Sequence, residues 1–462
     1  MPSASILVNG HGAGTGAEAP VGASDGAEVI RFGGDETLSA SEAVRRASGE
    51  IVVFLGAGDR LREGAIERLA RSLAAADLAY GDEIRAGVRL HKPGWSPHLL
   101  LFAPWVGHPW AVRKERALAV GGPGEDLAGA VERDLLLRLA ESGAAAARIP
   151  DVLAERSGAS PVDEGAHRRS VEEACRRRGI LAEVSSAGAA GLLRLTPRTE
   201  EERVTVIIPT RDHLDLLRRC VTGLERDTDY GHLEILIVDN DSSDPETLRY
   251  LAASPHRVIR HPGAFDFAAI HNRVAREAAG PWLLFLNNDT EVIEPTWLRA
   301  MVSQASLPGV GAVGAWLLYP DGRVQHAGVI LRPDHPVHLL RGLPESAFQH
   351  AYFGKVPCEV SAVTGACLLV RKEVFLDAGG FDQRFRIGFN DIDLCLRLRR
   401  DGYAILVDPA ARLVHHEGAS REEVLPLGET VLFRARWNHR FPEGDPYYHP
   451  GLDVQRADFS EL

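Results

Sequence analysis

A chain of 462 residues, 45% hydrophobic and 25% charged, is too long for one ordinary core and too apolar to stay disordered, so two or three globular domains are expected. The net charge of −12, with basic residues single or in short clusters such as Arg176 to Arg178, excludes a general nucleic-acid surface and leaves room only for peripheral contact with lipid headgroups. Five scattered cysteines without a C-x-x-C pair exclude a disulfide framework or zinc site and fit a reducing cytoplasm, and no apolar run reaches the ~18 residues of a membrane span.

Taken in chain order, the stretch from Ser39 to Leu69 reads helix, apolar strand "EIVVFLG", acidic turn "AGD", helix. Residues 130–160 continue with a helix and a further strand. Between about 151 and 202 the composition shifts to a charged helix, "EGAHRRSVEEACRRRGI", within a connector. From Val204 the pattern is regular. "VTVIIP" is an apolar strand stopped by Pro209, and Leu214, Leu217, Val221 and Leu224 have helical spacing. "LEILIVDN" is a second buried strand; "SDPETLRYLAAS" and "FAAIHNRVAREAAG" are helices; "WLLFLNND" is a further strand. Nearly all-apolar strands alternating with helices predict an α/β fold with a mostly parallel sheet covered on both faces, whose binding sites lie beyond the carboxyl ends of the strands. Ser39 to Leu69 mirrors Ala268 to Leu298, and Ala130 to Ser160 parallels Gly388 to Ser420. The expected organisation is two divergent copies of one nucleotide-binding-like unit, over 1–150 and 203–462, joined by a helical connector over 151–202.

Four constellations carry chemistry. Asp239 and Asp241 end a buried strand, where carboxylates can accept from a base or from ribose hydroxyls; the same residues also serve as a turn and helix cap. "LNNDTE" places Asn288 and Asp289 at a strand tip, and a carboxylate there, next to substrate phosphates, suits Mg2+ or Mn2+. Asn390 precedes Asp391 and Asp393 in the first turn of a helix. That is a favourable place for negative charge, and Asp391 can equally act as a general base. In "LVHHEGAS" an apolar strand meets His415 and His416, which can bind metal or phosphate.

Read together with "GVGAVGAWLLYPDGRVQHAGV" and "SAVTGACLLVRKEVFLDAGGFD", these segments resemble family-2 glycosyltransferases with the GT-A fold, of the bacterial cell-surface polysaccharide type. The resemblance covers about Arg203 to Arg421, and His91 to Glu115 resembles a segment of its tandem-domain members. It implies that Pro209, Thr210 and Arg211 touch the nucleotide, that Asp239 and Asp241 hold base and ribose, and that Asn272 and Asn288 also contact the nucleotide sugar. Asp289, with His415 or His416, would hold Mn2+ or Mg2+. Asp391 would be the base, and Gly365 and Ala366 an acceptor-side stretch of backbone. The implied donor is a nucleoside-diphosphate sugar and the acceptor a glycan or lipid-linked glycan. Upstream, Gly58 falls where the metal aspartate is expected, Asp59 lies one position later and Glu132 occupies the base position, so the first copy reads as degenerate. A nucleotidyltransferase is the rival class, but "IIPTRDHLDLL" lacks the glycines of a phosphate loop. A non-catalytic glycan-assembly subunit is the other.

Overall fold

A computed structural model describes all residues except 1, 2, 11–26, 35, 37, 125, 126, 128, 157–161, 199, 333, 334, 417–425 and 443. The end of the "LVHHEGASR" segment therefore lies outside the described residues. The chain divides into two compact units, Met1–Leu195 with Pro446–Leu452 and Leu462, and Thr196–Asp445 with Asp453–Glu461.

The first unit is built on β1 (Ala4–Asn9), β2 (Glu28–Phe32), β3 (Ile51–Gly56), β4 (Arg60–Leu61), β5 (Leu78–Arg85), β6 (Val88–Leu90), β7 (Trp110–Arg113) and β8 (Ala146–Arg156). Their order in the sheet is β2-β1-β3-β7-β5-β8-β4, with β6 on β5. A hairpin of β9 (Ala182–Ser186) and β10 (Leu193–Pro197) follows. The connector expected over 151–202 is not a separate body. β8 runs through its start, and helix Glu164–Arg177 turns Ala166, Val171 and Ala174 inward while Arg177 pairs with Asp134 and Glu141 of helix Val131–Glu141.

The second unit contains β11 (Val204–Thr210), β12 (Leu233–Asp239), β13 (Arg257–Arg260), β14 (Trp282–Leu286), β15 (Thr290–Val292), β16 (Val310–Leu318), β17 (Val324–His326), β18 (Val329–Leu331), β19 (Pro336–His338), β20 (Cys358–Glu359), β21 (Cys367–Arg371) and β22 (Ala404–His415). The main order is β13-β12-β11-β14-β21-β16-β22-β15, with β17 on β16 and β20 on β22, while β18 and β19 pair separately. All seven residues of β11 and all five of β14 are buried, the pattern of strands covered on both faces. The helices between them are started by side chains: Asp244 accepts from the Thr247 N–H with Pro245 at the first turn, and Asp266 accepts from the Ala269 N–H.

The two sheets match strand for strand, β2-β1-β3-β7-β5-β8-β4 against β12-β11-β14-β21-β16-β22-β15, with β13 added at one edge. Their directions match too. The pairs β1–β2, β1–β3 and β5–β8 are parallel, as are β11–β12, β11–β14 and β16–β22. The pairs β3–β7, β5–β7 and β4–β8 are antiparallel, as are β14–β21, β16–β21 and β15–β22. The expectation of a mostly parallel sheet is thus corrected to a mixed one. An apolar run such as "CLLVR" announces a buried strand but carries no sign of its direction, and β21 enters between β14 and β16 running against both.

Candidate active site

The carboxyl ends of β11, β12 and β14 lie side by side, because the three strands are parallel neighbours. Thr210 ties them together: its carbonyl accepts from the Asn240 N–H at 2.8 Å and its hydroxyl from Asn288 Nδ2 at 3.0 Å. Pro209 is buried beside it, and Arg211 is exposed just beyond. Asp239, 3% exposed, accepts from the Ser242 N–H at 2.9 Å and meets Arg260 Nε at 3.5 Å. Asp241 sits in the left-handed region at φ 57°, which aspartate tolerates better than most residues, and accepts from the Gly263 N–H at 2.6 Å. These strand-end carboxylates are partly used by their own turn, and each keeps oxygen lone pairs for a ligand.

Asp289 follows β14 and is 4% exposed. Its Oδ1 is buried without a hydrogen-bond partner and faces His415 Nε2 at 3.2 Å, because Thr290 of β15 pairs with His415 of β22. Burial pushes the Asp289 carboxyl up, but the facing His415 outweighs it and holds the group below its ordinary value. A buried carboxylate oxygen and an imidazole nitrogen at this separation fit one divalent cation, since neighbouring ligands bound at ~2.1 Å lie roughly 3 Å apart. His416 is placed differently. Its backbone N–H donates to the Asp289 carbonyl at 2.9 Å, but its ring meets Glu291 Oε2 at 3.1 Å. Of the two histidines considered as ligands, His415 faces Asp289 and His416 does not.

Asp391 lies in the first turn of helix Asn390–Arg400, after Phe389 at φ 60°. Its Oδ2 accepts from the Gly365 N–H at 2.7 Å and its Oδ1 from the Ile392 N–H at 2.8 Å. Burial pushes this carboxyl above its ordinary value, against the backbone hydrogen bonds that pull it down. Gly365 has no room for a side chain: a Cβ there would come within 2.9 Å of the Phe267 ring. The neighbouring Ala366 carbonyl accepts from the Asn287 N–H at 3.0 Å, which joins the Asp391 side of the site to the tip of β14.

Asn272 is a correction. Its Nδ2 donates to the Phe381 carbonyl at 2.7 Å and its Oδ1 accepts from the Phe381 N–H at 2.8 Å, so the amide brackets a backbone turn rather than reaching a ligand. Sequence reading missed Arg260, which faces both strand-end aspartates, and Phe267, which supports Gly365; alternation and motif spacing give no signal for either.

The same positions in the first unit are filled by protein charges. Registered through the matched strands, Gly58 stands where the second unit has Asp289, His108 stands at Ala366, and Arg156 stands at His415. His108 bridges Asp59 at 3.0 Å and Glu132 at 2.9 Å, and Glu132 also accepts from Trp110 Nε1 and Asn9 Nδ2. Arg156 meets Asp59 at 3.6 Å and Glu83 at 3.3 Å, and Lys92 meets Glu83 at 3.4 Å. Burial pulls the His108 imidazole down, but Glu132 and Asp59 win and raise it to about 9. Elsewhere in this unit Asp82, His91 and His449 bring ligand-type atoms within 4.8 Å of one another. There the Gly451 N–H donates to His449 Nδ1, His449 Nε2 lies 3.0 Å from Asp82 Oδ2 without a hydrogen bond, and Arg89 and the Lys92 N–H hold the same carboxylate.

Residues 205–378 match the model of the family described as Glycosyl transferase family 2. The O-antigen biosynthesis protein RfbC of Myxococcus xanthus is 37% identical over 92% of this chain and 35% of its own length. The uncharacterized protein y4gI of Sinorhizobium fredii is 33% identical over 92% of this chain and 51% of its own. The N-acetylglucosaminyl-diphospho-decaprenol L-rhamnosyltransferase of Mycobacterium tuberculosis is 29% identical over 41% of this chain and 68% of its own. This chain thus spans about a third to a half of the two relatives that match nearly all of it. With its strand-end acids, its Asp289–His415 pair and its helix-borne Asp391 on one mixed sheet, the second unit carries a glycosyl transferase family 2 domain.

Proposed function

We propose that the second unit transfers a sugar from a nucleoside-diphosphate sugar to a hydroxyl of a glycan or lipid-linked glycan in cell-surface polysaccharide synthesis, with inversion at the anomeric carbon. The observation that carries this reading is the chain of hydrogen bonds that brings Asn240, Thr210, Asn288, Ala366, Gly365 and Asp391 to one end of the sheet. Asp239 and Asp241 accept from base and ribose. Asp391 takes the proton of the acceptor hydroxyl as its oxygen bonds to the anomeric carbon, and the bond from that carbon to the diphosphate oxygen breaks. A carboxyl raised by burial suits this task, because a base works best when its pKa approaches the working pH. Asp289 and His415 would hold Mn2+ or Mg2+, which when bound stabilises negative charge on the leaving diphosphate. The setting is cytoplasmic or at the inner face of a membrane; among the described residues no helix is long and apolar enough to cross one.

The first unit is a catalytically silent copy. His108 and Arg156 fill the places that an acceptor and a metal would need, and they neutralise Glu132 and Asp59 from within.

The test is release of nucleoside diphosphate from UDP-GlcNAc, GDP-mannose and dTDP-L-rhamnose with Mn2+. Asp391→Asn should retain donor binding by thermal shift and lose about two to four orders of magnitude in turnover. Near-normal turnover by that variant removes Asp391 as the base.

A further inference from the structure

Among the buried carboxylates of the second unit that the mechanism leaves unused is that of Glu429 on helix Leu427–Trp437, 7% exposed. It accepts from three consecutive backbone N–H groups: Arg386 at 3.1 Å, Ile387 at 3.3 Å and Gly388 at 2.8 Å. A carboxylate is expensive to bury, and three amide donors are the kind of partner that offsets the cost.

What this short loop controls lies on either side of it. Forward along the chain it leads through Phe389, held at φ 60°, into Asn390 and Asp391, and Asn390 Nδ2 donates back to the Ile387 carbonyl at 3.2 Å. Sideways, the Arg386 carbonyl accepts from the Phe267 N–H at 2.8 Å, and the Phe267 ring is the surface against which Gly365 lies. Gly365 and Asp391 are the two ends of the 2.7 Å hydrogen bond that orients the carboxylate, so Glu429 steadies both. The rest of its helix fastens the same place. Phe433 stacks on Phe389 with centroids 4.7 Å apart, and Arg436 and Trp437 donate to Asp393 at 2.8 and 2.9 Å, in the same first helical turn as Asp391.

We propose that Glu429 is a positioning residue for transfer: its carboxylate fixes the 386–388 loop and through it the relative placement of Gly365 and Asp391. The proposal rests on the reading of Asp391 as the base. It does not touch donor or metal, and so its loss acts on turnover and leaves donor affinity alone.

The experiment compares the full chain with Glu429→Ala, Glu429→Gln and Asp391→Asn, using the same three donors with Mn2+ and checking folding by thermal unfolding. The expected result is that Glu429→Ala lowers kcat about 10- to 100-fold with donor KM within twofold. The acid limb of its kcat profile should move toward the ordinary aspartate range as water reaches Asp391. Glu429→Gln, which keeps one acceptor oxygen, should recover part of the rate. A folded Glu429→Ala with unchanged kcat and pH profile overturns the positioning role while Asp391→Asn remains inactive, and equal losses in kcat and donor affinity overturn it too. Turnover by Asp391→Asn overturns the reading beneath it instead.

Discussion

At the scale of single residues, the two histidines and the two carboxylates of the site separate by environment. Asp289 is held below its ordinary value by its partner and Asp391 is pushed up by burial, so the two carboxyls titrate apart, as the proposed division between metal ligand and base requires. A carboxyl whose folded pKa is raised costs stability once it ionises, so Asp391→Asn should unfold no earlier than the native chain at neutral pH, and turnover of the native chain should fall on the acid side at a pH above the ordinary aspartate value. A thermal melt and a pH–rate profile measure the two effects. For the metal pair, Asp289→Ala and His415→Ala should each abolish the rise in melting temperature given by Mn2+, and His416→Ala should keep it. A shift retained by His415→Ala would move the ion elsewhere. The sequence carried Asp289, Asp391 and the adjacent histidines as candidates because short polar residues at the ends of apolar runs stand out. It could not choose between His415 and His416, since that choice depends on strand register between β15 and β22, a long-range property.

At the scale of elements, what was legible was whatever reads locally. Five apolar residues in a row made β14 a buried strand, and Asp244–Pro245 marked a helix start. Strand direction and the mixed character of the sheet were not legible, nor was the bracket that Asn272 makes with Phe381, more than a hundred residues away. Helix Leu427–Trp437 carries no motif at all; its part is visible only where Glu429 meets the 386–388 loop. β14 also anchors an aromatic cluster, with Phe285 lying 5.0 Å from His271, 5.0 Å from Phe375 and 4.8 Å from Phe381. Phe285→Ala should therefore cost about 3–5 kcal/mol in urea unfolding, and loosen the tip that holds Asn288 and Asp289. A loss under about 1 kcal/mol would show that the cluster collapses to fill the space.

At the scale of the whole chain, internal similarity in the sequence raised the expectation of a repeated unit, and the two sheets share one strand order. The boundary was misread because helix Glu164–Arg177, charged on its outer face, looks like a linker until its inner alanines are seen to be buried. The copies respond differently to solution conditions. In the first unit His108 is raised to about 9, so its contribution to stability is complete below about 6.5, the ordinary histidine value, and is lost as pH rises through about 9. Unfolding followed between pH 6.5 and 10 should show the first unit weakening across that window, with His108→Gln removing the dependence. A chelator should leave that unit untouched and weaken only the second.

The exchange of His415 for Arg156 at one strand position has a consequence for how such a domain can age. An enzyme that borrows its positive charge from a dissolved ion stays open, because the ion and the substrate must both come and go. Where the charge is carried on the chain itself, as by Arg156 facing Asp59 and Glu83, no dissolved ion is needed to balance those carboxylates. On the reading proposed above, giving the first unit chemistry would accordingly take more than an aspartate at Gly58; Arg156 and His108, which pair with Asp59 and Glu132, would have to leave first.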